Sequence, residues 1–329
     1  TDESRAHTVN ATLAQLLGDQ AEIRPDAPAL VDLSRAWTFE EAFADAGRIA
    51  TALQLTGVRR GDRVGVHFHK SAIGALAMHG VVQLGAVAVP LDPSSPASRL
   101  ARICGRMDIG VVVSHEPRRA ALAELHALHP LHAVIGLDVP LEGVSGPSSV
   151  ELASLDPTSP ASVRPEDRAF IITTSGSTGE PKGIVHTHAS AIAWVDLSNA
   201  AFGLGSDDRV ADIAPHHFDI STQALWAAPR AGAASIVVPE PYQRLAASHS
   251  QRLADERVTV WYSVPFLLQQ LVSRGDLENR DLSSLRWVLF GGEVVPASVI
   301  AAFMHHVPSA RLANLYGPAE INTTTYHVF

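Results

Sequence analysis

The sequence has little cysteine, no excess of positive charge and no long apolar run, and each shortage excludes a class of protein. Cys104 is the single cysteine in 329 residues. An internal disulfide is therefore excluded, and we expect a buried, inert thiol in a cytoplasmic protein. The formal net charge of −9 gives no basic surface for nucleic acid or for anionic membranes. No apolar run reaches the ~18 residues of a membrane span, and the N-terminus lacks the profile of a signal peptide.

What the sequence does contain is a long succession of alternating strand and helix patterns. With 329 residues, 46% of them hydrophobic, the chain can bury a large core and is too long for one ordinary domain. The alternation predicts an α/β fold with mostly parallel strands and helices on both faces. Residues 137–165 interrupt it with scattered Pro, Gly and Ser, so we expect one subdomain over 1–150 and a second over 151–329. The 16 histidines lack the carboxylate or cysteine neighbours of a zinc site.

Residues 173–183 form a stretch of hydroxyls and glycines that predicts a phosphate-binding loop. Apolar strand candidates precede and follow it, which disfavours the alternative of a flexible Ser/Gly linker. Backbone N–H groups freed by glycine, several hydroxyls and one lysine can surround an anion. The stretch is not a Walker A loop, because no Ser or Thr follows its lysine. The predicted phosphate-binding residues are Thr174, Ser175, Gly176, Ser177, Thr178, Gly179 and Lys182.

Asp219 is a carboxylate among apolar residues just after a predicted buried strand. Phe218 and Ile220 flank it, and no lysine or arginine is near it in the sequence. Because a buried carboxylate is costly unless it is paired, we expect its cation to arrive with the ligand, as an ammonium group would. The alternative is an N-cap for a helix over residues 221–229.

Two further segments at predicted strand ends suit an adenine ring. The first is Gly291-Gly292-Glu293, and the second runs from Asn314 to Glu320. Glycines let a flat base approach the backbone, an asparagine can bind an exocyclic amine, and a tyrosine can stack. The alternative is that residues 316–318 form only a tight turn.

Together these segments resemble, in order and composition, the signatures of the adenylate-forming superfamily, which includes amino-acid adenylation domains, acyl-CoA and aryl-acid ligases and luciferases. The resemblance implies the large N-terminal part of that fold: two stacked subdomains of mixed, mostly parallel sheets flanked by helices, with the start of a third β subdomain at the C-terminus. The family's mobile C-terminal subdomain has no counterpart in this sequence. We therefore expect these residues to bind ligand and to adenylate slowly.

The resemblance also implies a chemistry, in which ATP and Mg²⁺ activate a carboxylic acid as an acyl adenylate. Lys182 and Glu320 would be catalytic, with Lys182 near the leaving pyrophosphate and Glu320 holding Mg²⁺. ATP would also contact Gly291, Gly292, Glu293, Asn314, Tyr316 and Gly317. The family usually has threonine at Ala319, so one contact with the α-phosphate is missing here. The adenylate would pass to the phosphopantetheine thiol of a carrier protein or to coenzyme A.

The same likeness points to an amino acid as the substrate, because Asp219 matches the residue that binds the substrate's amino group. The residues that match the family's substrate pocket are Asp219, Ile220, Gln223, Tyr262, Leu289, Gly291, Leu315, Thr323 and Thr324. Asp219 alone among them is charged, so we expect a small or apolar amino acid. The closest likeness is to free-standing ligases of natural-product biosynthesis, which load proline or β-amino acids, and we favour a β-amino acid. The alternatives are an acyl- or aryl-CoA ligase and a non-catalytic adenylate-binding module.

Overall fold

The computed structural model describes residues 11–175 and 180–329, and these residues form two compact units. The first unit contains the described residues within 11–26, 39–69 and 73–193, and the second contains 27–38, 70–72 and 194–329. Along the described part of the chain, no helix has both the length and the apolarity needed to cross a membrane.

The strands of the described residues share short lengths and mostly buried side chains. In chain order they are β1 (Pro28–Val31), β2 (Ala36–Thr38), β3 (Arg63–Val66), β4 (Val87–Pro90), β5 (Val111–Val113), β6 (Ala133–Ile135), β7 (Arg168–Ser175), β8 (Pro181–Thr187), β9 (Arg209–Asp212), β10 (Ala234–Val237), β11 (Val260–Ser263), β12 (Trp287–Gly291), β13 (Arg311–Tyr316) and β14 (Thr325–Val328).

The α-helices follow most of these strands, as crossover connections between parallel strands require. In chain order they are α1 (Leu16–Ile23), α2 (Phe39–Leu55), α3 (Ala72–Gln83), α4 (Ala97–Met107), α5 (Arg119–Leu128), α6 (Ser149–Ser154), α7 (His188–Phe202), α8 (Ala228–Ala231), α9 (Glu240–Arg244), α10 (Ala246–Asp255), α11 (Pro265–Arg274) and α12 (Ala297–His306).

The first unit is built on a six-stranded sheet in the order β6-β5-β3-β4-β7-β8. Its strands are parallel except β8, which pairs antiparallel with β7. Valines and isoleucines dominate because the central strands are buried on both faces. Helices α2 and α3 pack closely at Gly80, where an added Cβ would lie 2.7 Å from the carbonyl oxygen of Ala46. Cys104 is a free, buried thiol in this core, and burial raises its pKa to about 12.

The second unit is built on an eight-stranded sheet in the order β14-β13-β12-β11-β9-β10-β1-β2. The six inner strands are parallel, and β2 and β14 close the two edges with antiparallel pairing. One apolar cluster of this unit includes the fully buried rings of Trp261, Phe290 and Phe303.

The sheets confirm the predicted α/β class of mixed, mostly parallel strands flanked by helices. Two expectations differ from the structure. The units do not divide at residue 150, because β7 pairs with β4 and carries β8 into the first sheet, whereas β1 and β2 join the second sheet. In addition, the residues expected to begin a third β subdomain form β14, which hydrogen-bonds to β13 as an edge strand.

Candidate functional site

Four neighbouring parallel strands of the second unit bring the predicted substrate and adenine segments to one edge of the sheet. These strands are β9, β11, β12 and β13, and each predicted segment lies at the carboxyl end of one of them or just beyond it. Open α/β sheets bind ligands at this edge. The sheet order therefore collects residues that are far apart in the sequence.

Asp219 begins a 3₁₀ turn, Asp219–Ser221, and its side chain is partly buried. Its Oδ1 accepts the N–H of Ile220 at 2.9 Å, and no described lysine or arginine forms an ion pair with it. Burial raises the pKa of this carboxyl, and the hydrogen bond from Ile220 opposes the rise. The N-cap alternative is not observed, because neither the 3₁₀ turn nor the helix after it has a side-chain cap. Among the described residues, the carboxylate of Asp219 thus has no cationic partner.

Asn322 holds the Asp219 turn in place and was not predicted. Its Nδ2 donates to the carbonyl oxygen of Asp219 at 3.1 Å and to Oγ1 of Thr222 at 2.7 Å. The buried asparagine has φ of +61°, a left-handed conformation that asparagine tolerates well. Gly317 lies against the backbone of Asn322 itself, where an added Cβ would be 2.2 Å from the carbonyl oxygen of Asn322. The sequence hints at this role of Asn322 only by placing an asparagine in a loop rich in turn-forming residues.

Several of the predicted substrate residues share one apolar cluster. Ile220, Tyr262, Leu289 and Leu315 belong to one apolar cluster. Burial raises the pKa of the Tyr262 hydroxyl, the nearby Asp219 charge raises it further, and a hydrogen bond with Thr323 opposes the rise.

The remaining predicted substrate residues differ in how far they take part in this cluster. Gly291 approaches it so closely that an added Cβ would lie 2.4 Å from the carbonyl oxygen of Leu315. Gln223 is buried in a single π-helical turn, Gln223–Ala227, a feature frequent at functional sites. Its Oε1 accepts the hydroxyl of Ser198 at 2.8 Å, while its Nε2 has no partner among the described residues. Thr324 is exposed and does not belong to the apolar cluster.

A cavity of about 270 Å³ lies beside this cluster and is almost wholly apolar. Its lining residues are Ile213, Ala214, Pro215, Phe218, Ile220, Gln243, Ser263, Val264 and Leu267. Ile220 is the one predicted substrate residue among them. The cavity is therefore a separate space that touches the Asp219 turn through the two side chains flanking Asp219.

The predicted adenine and metal residues of the second unit are accessible. Gly292 has φ of +92° in the turn after β12, a conformation that favours glycine. Tyr316 at the end of β13 is 73% exposed, so its ring is available for stacking. Asn314 pairs with Phe290 in the strand register and is partly buried, whereas Glu293 and Glu320 are exposed.

The predicted phosphate loop joins β7 to β8 in the first unit. Thr174 pairs with Lys182 across this antiparallel hairpin, and Lys182 is exposed. Ser175 is the last residue of β7. The other predicted phosphate-binding residues, Gly176, Ser177, Thr178 and Gly179, lie outside the described residues.

A buried ion pair at the end of β9 was also not predicted. Lys70 Nζ lies 2.6 Å from Asp212 Oδ1, and both side chains are at most 1% exposed. The N–H of Lys70 donates to Oε1 of Glu240 at 3.0 Å. Burial lowers the pKa of Lys70 and raises that of Asp212, while the ion pair opposes both shifts. The pair anchors the strand from which the Asp219 segment departs.

Comparisons with known proteins identify the family of this chain. The family described as AMP-binding enzyme matches residues 17–328. An L-proline–(L-prolyl-carrier protein) ligase of Pseudomonas fluorescens is 33% identical over 92% of this chain and 60% of its own length. The AMPPNP-bound nonribosomal peptide synthetase FmoA3 has a TM-score of 0.83 at 29% identity, over 97% of this chain and 32% of its own.

The anthranilate CoA ligase AuaEII, solved with anthranoyl-AMP, has a TM-score of 0.86 at 25% identity, over 95% of this chain and 61% of its own. The chain thus spans about 60% of the length of the proline ligase it matches.

Proposed function

Because the chain belongs to the family of AMP-binding enzymes, we propose that it activates an amino acid with ATP and transfers the aminoacyl group to the thiol of a carrier protein. The observation that carries this proposal is the carboxylate of Asp219. It is partly buried beside Tyr262 and has no cationic partner among the described residues. An ammonium group on the substrate would supply that partner.

In the reaction, a carboxylate oxygen of the amino acid attacks the α-phosphorus of ATP. A bond from that oxygen to phosphorus forms, the bond to the leaving pyrophosphate breaks, and an aminoacyl adenylate results. Such phosphoryl transfer depends on positioning and on stabilisation of charge. Asp219 orients the acid through its amino group, and Lys182 stabilises the leaving pyrophosphate. In the second step, the thiol attacks the acyl carbon and AMP leaves.

The nucleotide base is held at the strand ends of the second unit. Tyr316 stacks on the adenine, Asn314 binds its exocyclic amine, and the backbone at Gly291 and Gly292 allows close approach. These roles rest on the family resemblance and on the exposure of the Tyr316 ring.

Glu320 fits the demands of Mg²⁺ in a nucleotide site. Mg²⁺ binds to one or two carboxylates together with substrate phosphates and water, and Glu320 is an exposed carboxylate on a turn after β13. When bound, Mg²⁺ neutralises phosphate charge. The acid and the nucleotide base are oriented by Asp219, Tyr316 and Asn314, as described above.

The substrate is a small or apolar amino acid, either α or β. Apart from Asp219 the predicted pocket has no charged side chain, and Tyr262, Leu289 and Leu315 limit its size. The related proline ligase supports an amino acid of this kind. The uncharged cavity lined by Phe218 and Val264 adjoins the Asp219 turn, and we assign it to the uncharged arm that carries the thiol.

Amino-acid-dependent exchange of pyrophosphate into ATP tests the proposal. The panel should contain small and apolar α-amino acids, β-amino acids, and the deaminated analogue of each acid that reacts. We expect exchange with an amino acid and almost none with its analogue, because the analogue leaves the carboxylate of Asp219 unpaired. Equal rates would contradict the role of Asp219.

The similarity to a CoA ligase favours a second candidate, transfer of the acyl group to coenzyme A. Offering coenzyme A and a phosphopantetheinylated carrier protein to the preformed adenylate separates the two acceptors. Our proposal requires faster transfer to the carrier protein.

A further inference from the structure

The first unit contains a second place where its topology favours a ligand. In its sheet, β3 lies between β4 and β5. The chain first continues from β3 to β4 on one side of it, and then from β4 to β5 on the other side. In doubly wound sheets, ligands bind at the carboxyl ends of the strands at such a reversal of strand order. The residues that follow β3 and β5 have no role in the proposed function.

Three side chains at this reversal carry buried nitrogens without hydrogen-bond partners among the described residues. They are both ring nitrogens of His67, Nε2 of His115 and Nε of Arg118. His67 is 0% exposed. Its backbone is fixed, because its N–H donates to the carbonyl oxygen of Val113 at 3.0 Å and its carbonyl accepts the hydroxyl of Ser114 at 2.8 Å. Since buried polar groups are nearly always hydrogen-bonded, these nitrogens require hydrogen-bond partners from elsewhere.

Among the described residues, the guanidinium of Arg118 contacts no carboxylate. The described partners of its guanidinium are Nε2 of His69 at 3.1 Å and the carbonyl oxygen of Pro93 at 2.6 Å. Asp92 is the nearby acid, and its oxygens accept hydrogen bonds from the residues that follow it, Ser94 and Ser95. Burial and the nearby Arg118, His69 and His115 together lower the pKa of His67 to about 3, and Asp92 opposes this shift.

The geometry points to a binding site for a small oxyanion of the phosphate class at the carboxyl ends of β3 and β5, contacted by Arg118, His67 and His115. An oxyanion supplies several acceptors at once, which satisfies the unpaired nitrogens, and its charge balances the guanidinium. The Phe68 ring, 4.9 Å from the His115 ring, walls one side of this imidazole. The ligand is either free phosphate or the phosphate group of a larger molecule. None of these three residues is among those assigned to adenylation, and the proposal does not depend on that assignment.

The test is a titration of the ¹⁵N-histidine-labelled protein with inorganic phosphate, followed by NMR at the ring nitrogens of His67 and His115. We expect saturable shifts at both rings and at least tenfold weaker binding in Arg118→Gln. Arg119→Gln is the matched control, because Arg119 donates only to the carbonyl oxygens of Val139 and Pro140, outside the cluster. A parallel titration with a phosphate monoester distinguishes the two sources, since the tighter ligand identifies the form that the site accepts.

Ring nitrogens that do not respond to phosphate at tens of millimolar would overturn the proposal, and so would equal binding by wild type and Arg118→Gln. Arg118→Lys, which keeps the positive charge, serves if the glutamine variant does not fold, and it should bind more weakly than wild type. Amino-acid-dependent pyrophosphate exchange should be unchanged in Arg118→Gln. Failure at this site is thus separable from failure of the proposed function.

Discussion

Replacing Asp219 with asparagine removes the charge that the proposed function needs and little else. The amide keeps the size of the side chain and an oxygen that can accept the N–H of Ile220. Removing one member of a buried, hydrogen-bonded charge pair costs about 2–5 kcal/mol. Because Asp219 is only partly buried, we expect the lower part of that range, about 2–3 kcal/mol, or a loss of about 30- to 160-fold in kcat/KM for the amino acid.

The assay is pyrophosphate exchange with the amino acid varied at saturating ATP, and then with ATP varied. The loss should fall on the amino acid, with the KM for ATP nearly unchanged. Asp207→Asn, on the exposed loop before β9, is the control and should behave as wild type. A loss below threefold in Asp219→Asn, together with unchanged discrimination against the deaminated acid, would refute the reasoning.

The same variant tests the electrostatics of the free protein. Burial raises the folded pKa of Asp219, so the folded state holds its proton more tightly than the unfolded state does. Ionisation of this carboxyl therefore opposes folding, and stability falls as pH rises through and above the ordinary aspartate range. At neutral pH the free energy of unfolding of Asp219→Asn should equal or exceed that of wild type. For the same reason, kcat/KM for the amino acid should rise with pH until Asp219 is ionised.

Three further changes test other contacts. Asn322→Gly loses two hydrogen bonds of about 1 kcal/mol each and should raise the KM for the amino acid about tenfold. Asn322→Ala should lose the same bonds and a further ~1 kcal/mol of stability, because alanine is strained in the left-handed conformation of this position. Equal unfolding free energies for the two variants would contradict the predicted strain. Lys70→Met or Asp212→Asn should each lower the unfolding free energy by about 3–5 kcal/mol, and Lys70→Met with Asp212→Leu by less than either, as denaturant titrations would show. Val264→Trp should fill the apolar cavity, so carrier loading should fall more than tenfold while exchange continues. The exposed Phe266→Trp is its control, and loss of exchange in Val264→Trp would reject the assignment of the cavity.

The helices and strands could be predicted from short stretches of sequence, because the pattern of apolar residues within each stretch determines which element it forms. Runs such as Val111–Val113 and Trp287–Gly291 are apolar where strands are buried on both faces, and they became β5 and β12. Asp219 could be singled out because a carboxylate between Phe218 and Ile220 has no cation in its own segment. The match to the family was likewise carried by short segments, such as residues 173–183 and 314–320, and the family itself is confirmed.

The order of strands within each sheet could not be predicted from such local patterns. No local pattern indicates that β1 pairs with β10, or that β7 and β8 extend the first sheet, and the division at residue 150 failed for that reason. Lys70 and Asp212 are separated by 142 positions, and Asn322 and Asp219 by 103. No residue of either pair carries a sequence signal of which distant residue it contacts.

The amino-acid sequence by itself thus determined the class of fold, the family and the residue types offered to a ligand, since these depend on periodicity and on short contiguous motifs. Only the tertiary structure decided which side chains meet and, among the described residues, which charges have no ionic partner and which nitrogens at the ends of β3 and β5 have no hydrogen-bond partner. The physical reason is that burial and pairing are properties of contacts between distant segments, and those contacts exist only once the sheets have assembled.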